Sequence, residues 1–165
     1  MSLEQVFFIH FKQKNIMKHL FIYLSLLITT ICYGQHVSMN ETLGIYEYSH
    51  IKEFKDGINT RLDLFAQKMK ESNYSDVNIT DKGIKGENFF TKMILGSAME
   101  VHFNAFIDFK EGKYKLTINN FRIKDVRYGT VALETIGKNS QKKWVNFINE
   151  KLPQVVANLE NTDKW

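Results

Sequence analysis

From Met99 to Phe109 the chain alternates without a break. Met99, Val101, Phe103, Ala105, Ile107 and Phe109 share one parity, while Glu100, His102, Asn104, Phe106 and Asp108 share the other. A period of two is that of a half-buried antiparallel strand. "KEGK" then supplies turn chemistry, and Tyr114, Leu116 and Ile118 alternate with Lys115, Thr117 and Asn119 as a returning strand. Slipping a register by one residue exchanges the faces, so the faces choose the loop length. An even loop pairs Phe109 with Tyr114, Ile107 with Leu116 and Ala105 with Ile118, and sets Asp108 opposite Lys115 on the outer face. An odd loop puts Lys115 across from core residues, and is rejected.

The same patterns place the other elements. Leu43 to Ile51 reads as a first strand, preceded by an aperiodic, flexible lead-in over Gln35 to Thr42. Ile58, Leu62, Phe65, Ala66 and Met69 mark an amphipathic helix over about 57–72, with Asp56 as its N-cap. Val77 and Ile79 suggest a short strand that ends at the turn residues of "DKGIKGEN". Asn88 to Leu95 reads as a strand with a conflict: a two-residue Gly96-Ser97 turn points Lys92 inward, whereas a three-residue loop points Phe90 and Ile94 outward. Arg127 to Glu134 holds one further short strand or edge segment. A broad apolar face, including Trp144, Val145, Ile148, Leu152 and Leu159, predicts a closing helix over about 140–161. Pro153 lies inside it and predicts a kink or break near Lys151. The order is strand, helix, four or five antiparallel strands, helix: an α+β domain with both helices on one face of the sheet.

Met17 to Gln35, "MKHLFIYLSLLITTICYGQ", does not belong to that pattern. A basic start, Lys18 and His19, precedes an uncharged apolar run of twelve residues from Leu20 to Ile31. A membrane-spanning helix needs about 20 apolar residues and a signal-peptide core roughly 7 to 15. Small residues at Cys32 and Gly34 occupy the alternate positions a signal peptidase reads, so cleavage is expected before Gln35. The upstream Phe7, Phe8 and Ile9 do not extend the run into an anchor, because Lys12, Lys14 and Lys18 interrupt it. Ile31 and Thr29 fit a lipoprotein site poorly. The expected organisation is therefore an extension and cleaved signal over 1–34, a single domain over 35–165, and an exported product in the periplasm, on the outer surface or secreted.

Export changes the composition. The whole chain has 22 basic and 18 acidic residues, and losing Lys12, Lys14, Lys18 and Glu4 leaves 19 against 17, a balance of +2. That is too little to argue for nucleic acid, and the Arg122, Lys124, Arg127 and Tyr128 run reads as a solvated strand end. The single cysteine, Cys32, leaves with the signal, so the mature domain has neither disulfide nor thiolate chemistry.

The element order, together with a signal ending "YGQ", resembles a Bacteroidetes-type family of exported proteins of unknown function with a TBP-like fold. The Tyr46 and Tyr48 strand, the "GINTRLDLFAQKM" helix, the "DKGIKGENFF" turn into a strand and the "DFKEGKYKLTI" hairpin carry the likeness, which spans most of residues 43–122. The resemblance implies fold and export, with no activity attached. A fold name of this kind does not bring DNA binding with it.

Phosphate-binding glycine loops, G-x-S-x-G, H-E-x-x-H and C-x-x-C are absent from the sequence. The mature histidines, His36, His50 and His102, are scattered, and carboxylates such as Asp76, Asp81, Asp108 and Glu111 read as strand-end and turn residues. No cofactor, metal or catalytic constellation is expected. One surface stands out: on the outer face of the main hairpin His102 falls opposite Phe121, Asn104 opposite Asn119, and Phe106 opposite Thr117. His102, Asn104, Phe106, Asn119 and Phe121 are thus the candidate binding residues, since exposed apolar groups among hydrogen-bonding ones mark interaction surfaces. The expected function is a non-enzymatic module that binds a protein, peptide or glycan of the cell envelope, without a permanent membrane anchor. The alternative is a carrier of a small apolar ligand or lipid, with a helix-grip cavity lined by Phe103, Ile107, Leu116 and Trp144.

Overall fold

A computed structural model of the chain describes residues 36–161 apart from 126 and 128, so the expected signal segment and Tyr128 lie outside the described residues. Seven strands form one antiparallel sheet: β1 (Ser38–Asn40), β2 (Ile45–Glu53), β3 (Ser75–Ile79), β4 (Gly83–Ile94), β5 (Ser97–Lys110), β6 (Lys113–Asp125) and β7 (Gly129–Ala132). Their order is β1-β2-β6-β5-β4-β3, with β7 paired to β6. Helices α1 (Ile58–Glu71) and α2 (Lys138–Glu160) both pack on one face, and their buried residues join the inward strand residues in a single core. Among the described residues no helix is long and apolar enough to cross a membrane.

The main hairpin has the even loop: Phe109 pairs with Tyr114, Ile107 with Leu116, Ala105 with Ile118 and Asp108 with Lys115. Beyond Asn119 the register shifts. Asn104 still faces Asn119, but His102 faces Arg122, so β6 carries one extra residue there. Asn120 takes it up with a left-handed backbone, φ 54°. The bulge reverses the parity of all that follows, and Phe121 turns into the core, where its exposure is 0 %. This corrects its expected place on the outer face. Left-handed strain costs about 1–2 kcal/mol for an ordinary residue and less for asparagine. Burying a Phe or Ile side chain contributes about 1.5–3 kcal/mol. With Phe121 and Ile123 both turned inward, burial wins.

The Lys92 conflict is resolved by a different turn. Ile94 pairs with Ser97, so the loop is Leu95-Gly96, with φ 47° and 78° as a type I′ turn requires. Phe90 and Lys92 both point to the helix side. Lys92 is accommodated there because its ammonium lies 4.5 Å from the Phe147 ring centre and 5.1 Å from that of Trp144.

Other departures have similar causes. The lead-in is ordered at Ser38–Asn40 as an edge strand, because Val37 is buried and its N–H donates to Asn149 Oδ1 at 2.7 Å. Asp56 does not cap α1; Gly57 is the N-cap position, and Asp56 instead pairs with Arg61 at 2.8 Å. Residues read as the "DKGIKGEN" turn already belong to β4 from Gly83 onward, with the turn confined to Thr80–Lys82. α2 runs unbroken through Pro153, its flanking Leu152 and Leu159 fully buried against the core. Tertiary burial here outweighs a proline penalty of about 3 kcal/mol.

Because Asn120 sets the parity of half of β6, its backbone is a sensitive position. Asn120→Gly is expected to leave stability within about 0.5 kcal/mol, whereas Asn120→Val is expected to cost about 1–2 kcal/mol, read from urea midpoints. Equal midpoints for the two variants would show that the left-handed conformation is not what the bulge requires.

Candidate functional site

Neither helix covers the outer face of the sheet, and the strands lay its residues out in cross-strand rows. One row runs Lys85, Phe106, Thr117, Ser49; the next runs Glu87, Asn104, Asn119, Glu47; a third runs Phe89, His102, Arg122, Ala132. Four of the five residues expected on this surface, His102, Asn104, Phe106 and Asn119, are there. Phe121 is not, and Arg122 occupies the place opposite His102 that was assigned to it. Phe106 is half-buried among Lys85 and Thr117 rather than exposed.

His102, Glu87, Glu100, Arg122 and Lys124 of this face are paired with one another. His102 Nδ1 lies 3.2 Å from Glu87 Oε1 and its Nε2 2.9 Å from Glu100 Oε2. Arg122 closes on Glu87 at 2.7 Å and Lys124 on Glu100 at 3.1 Å. Hydrogen bonds from His102 and Lys124 hold the Glu100 carboxyl below its ordinary value. The Phe89 ring stacks on His102 with centres 5.3 Å apart and is 48 % exposed. Phe89, Glu87 and Arg122 were missed from sequence because the bulge and the Leu95-Gly96 turn set their faces. Neither has a sharp signature, as leucine is unusual at a left-handed turn position.

A second polar cluster lies on the helix side, at the end of α2. Tyr48, His50 and Lys52 project inward from alternate positions of β2, Tyr114 comes from β6 beside Lys52, and Glu160 comes from the last turn of α2. His50 Nε2 is 2.6 Å from Glu160 Oε1, and the Tyr114 hydroxyl donates to the same oxygen at 2.5 Å. Tyr48 Oη lies 2.8 Å from His50 Nδ1, and Lys52 Nζ 3.4 Å from Glu160 Oε2. A proton on His50 Nε2 donates to Glu160, and Nδ1 shares its hydrogen bond with the Tyr48 hydroxyl. Burial and the nearby Glu160 charge push the Tyr48 phenol up to about 12. Burial, the hydrogen bond to Glu160 and its charge raise Tyr114 as well. Burial opposes ionisation of Glu160, but the hydrogen bonds from His50 and Tyr114 outweigh it and hold the carboxyl below its usual value. The cluster anchors the helix terminus to two strands. Only the Tyr48–His50 spacing hinted at it in the sequence, since Glu160 lies 110 positions from His50.

Of the residues expected to line a carrier cavity, Phe103 borders a cleft of about 460 Å³ beside β4, and the others are packed in the core. Ile107 and Leu116 have no accessible surface, which leaves no water-sized void against either. Phe103 packs on Tyr74, Phe90 and Phe121, and Trp144 on Phe147.

The Glu160 cluster makes stability depend on pH in a set direction. Its carboxyl ionises lower in the folded chain than the ordinary 4.5, so the cluster's contribution is present above 4.5 and declines as pH falls through the folded value. Glu160→Gln is expected to cost about 1–2 kcal/mol at pH 7, read from urea unfolding. The gap to the native chain narrows in acid. A gap that holds constant from neutral to strongly acidic pH excludes the carboxylate as its source.

No protein-family model matches the chain, and no curated protein matches it. Among solved structures, it is similar to a DUF4468 family protein from Bacteroides ovatus, with a TM-score of 0.60 and 12% identity over 79% of this chain and 91% of that one. It is also similar to a TBP-like protein from Parabacteroides distasonis, with a TM-score of 0.60 and 14% identity over 72% of this chain and 92% of that one. At such identities the likeness establishes fold rather than activity. The resemblance carried by Tyr46, Tyr48 and the "DFKEGKYKLTI" hairpin holds at that level: this chain has the α+β, TBP-like fold of Bacteroidetes domains of unknown function.

Proposed function

We propose that the chain is an exported, non-enzymatic binding module that engages a protein, peptide or glycan of the cell envelope on the open face of its sheet. The observation that carries this reading is the ordered array on that face, where Glu87 bridges His102 and Arg122 and Glu100 bridges His102 and Lys124, beside the half-exposed Phe89 ring. Side chains held in place by neighbours lose little freedom when a partner arrives, and an aromatic platform among them supplies apolar area. The same pairing speaks against catalysis. His102 and the two carboxylates satisfy one another across the strands instead of converging on an enclosed space, which is where an acid–base pair acts. The structures that the chain resembles are described by family and fold, not by reaction. Export rests on the Met17–Gln35 pattern.

Two measurements test the reading. Co-sedimentation of the exported protein with isolated envelope material is expected to weaken by about tenfold, ~1.4 kcal/mol, when His102→Ala is combined with Lys124→Glu. Undiminished retention by a variant with native thermal stability counts against the open face. Mass spectrometry of the exported protein is expected to find Gln35 as the first residue, cyclised or not. A product that keeps Phe21 to Ile31 returns the segment to an anchor.

A further inference from the structure

β4 is long, and β3 flanks only part of it. The pairs between them run from Ile79 opposite Ile84 to Ser75 opposite Glu87. Beyond Glu87, β4 has β5 on one side and, among the described residues, no strand on the other. Main-chain groups alternate in direction along a strand. The Glu87 carbonyl accepts from the Ser75 hydroxyl at 3.4 Å on the β3 side, and the next residue of that parity, Phe89, has its N–H taken by Asn88 Oδ1 at 2.7 Å. Continuing the alternation, the N–H and C=O of Thr91 and Met93 face the open edge. Met93 is 66 % exposed, so nothing among the described residues shields it. Edges of this kind are normally blunted by charge, proline or a covering element. Here Asn88 closes the edge at Phe89 only.

Beside that edge lies a cleft of about 460 Å³ between the end of α1, β4 and α2. Tyr74, Asn88 and Phe90 line one side, and Lys151, Gln154 and Asn158 of α2 the other. The Tyr74 ring sits against β4 at Gly86, where a Cβ would meet its Cδ1 at 3.1 Å. Tyr74 is only 8 % exposed, and its hydroxyl proton has no acceptor among the described residues. The adjacent Asn88 amide approaches the phenol oxygen as a donor and leaves that proton unpaired, while its Nδ2 also donates to the Ser72 carbonyl at 2.9 Å and its Oδ1 accepts from Phe89. Burial raises the phenol above its ordinary value, so it stays protonated and is a donor without an acceptor. Among the described residues no carboxylate lines the cleft, and its one charged residue is Lys151, which also pairs at 3.2 Å with Glu150, a side chain 68 % exposed. The one charge on its lining is positive.

We propose that the free edge of β4 is a docking site for an extended acidic peptide of a partner protein. The peptide adds to the sheet as a further strand, its main chain pairing with Thr91 and Met93. An inward-facing Asp or Glu side chain enters the cleft and accepts hydrogen bonds from the Tyr74 hydroxyl and the Lys151 ammonium. Main-chain pairing supplies affinity and the cleft supplies selectivity, as in other strand-addition complexes. The site is the edge of β4 with the cleft on its helix side, and it meets the open face at Phe89, which borders both.

The test uses the isotope-labelled exported protein and the capped peptide Ac-Thr-Glu-Val-Glu-Thr-NH2, followed by amide NMR and hydrogen exchange. Saturable shifts at Thr91 and Met93 are expected, with exchange there slowed about tenfold, and affinity is expected to fall about tenfold for the Gln-for-Glu peptide, for Tyr74→Phe and for Lys151→Gln. A peptide N-methylated at alternate residues is expected to lose the protection. Amides of Thr91 and Met93 unmoved at millimolar peptide overturn the strand addition, and equal affinity for the Glu and Gln peptides overturns the acidic preference. Protection of the same amides in the free protein that grows with its concentration makes the occupant a second copy of the chain, which also overturns the proposal. Lys124→Gln, on β6 and so not beside the β4 edge, is expected to leave peptide affinity unchanged, so this site and the open face fail or stand separately.

Discussion

Strand β6 changes parity once, at Asn120, and most of the architecture depends on that change. Its first half pairs with β2 through Lys113 to Asn119, and its second half pairs with β7 through Arg122 to Asp125. Without the extra residue, Phe121 and Ile123 would face water, and Arg122 would enter the core between the helices. With it, both halves present apolar side chains to α1 and α2 although their residue numbers are out of phase. The bulge also brings Arg122 opposite His102, so the charged array of the outer face and the core beneath it follow from one backbone conformation.

Much of this was legible in the sequence where period and chemistry agree. The β5–β6 hairpin could be registered to the residue because Asp108 and Lys115 selected the same loop that the apolar faces did. The α+β order and the single helical layer followed from element lengths. Legibility failed at single-residue phase changes. An asparagine that will adopt φ 54° looks like any other strand asparagine, so the parity of Phe121 was misassigned. Leu95 in a left-handed turn carries no warning either, and the Lys92 conflict needed the aromatic rings of α2, 52 and 55 positions away at Trp144 and Phe147, to be resolved. Long-range pairs such as His50 with Glu160 are invisible to local pattern for the same reason.

The helix side shows how far tertiary burial overrides local preference. α2 accepts Pro153 in its interior, and α1 begins without a side-chain cap. Both are unfavourable in an isolated helix. Each helix is held by the residues it buries, Phe65 and Met69 in one, Ile148, Leu152 and Leu159 in the other. The polar anchor at Glu160 then fixes where α2 stops. Fold and charge placement are in this sense one problem, because the carboxylate is positioned by the same helix whose apolar face fills the core.

The place of β2 in the sheet has a consequence for assembly. Strands β4, β5 and β6 are a meander of sequence neighbours, each closing on the last through a short turn, whereas β2 lies against β6 with Glu47 opposite Asn119. Closing that long loop costs entropy that local hairpins avoid, and contacts of large sequence separation form late. During synthesis β2 is made first and has no partner until Asn119 has followed. The earliest long strand of the domain therefore waits, with Tyr48 and its neighbours uncovered, until four later strands and the first helix have been made.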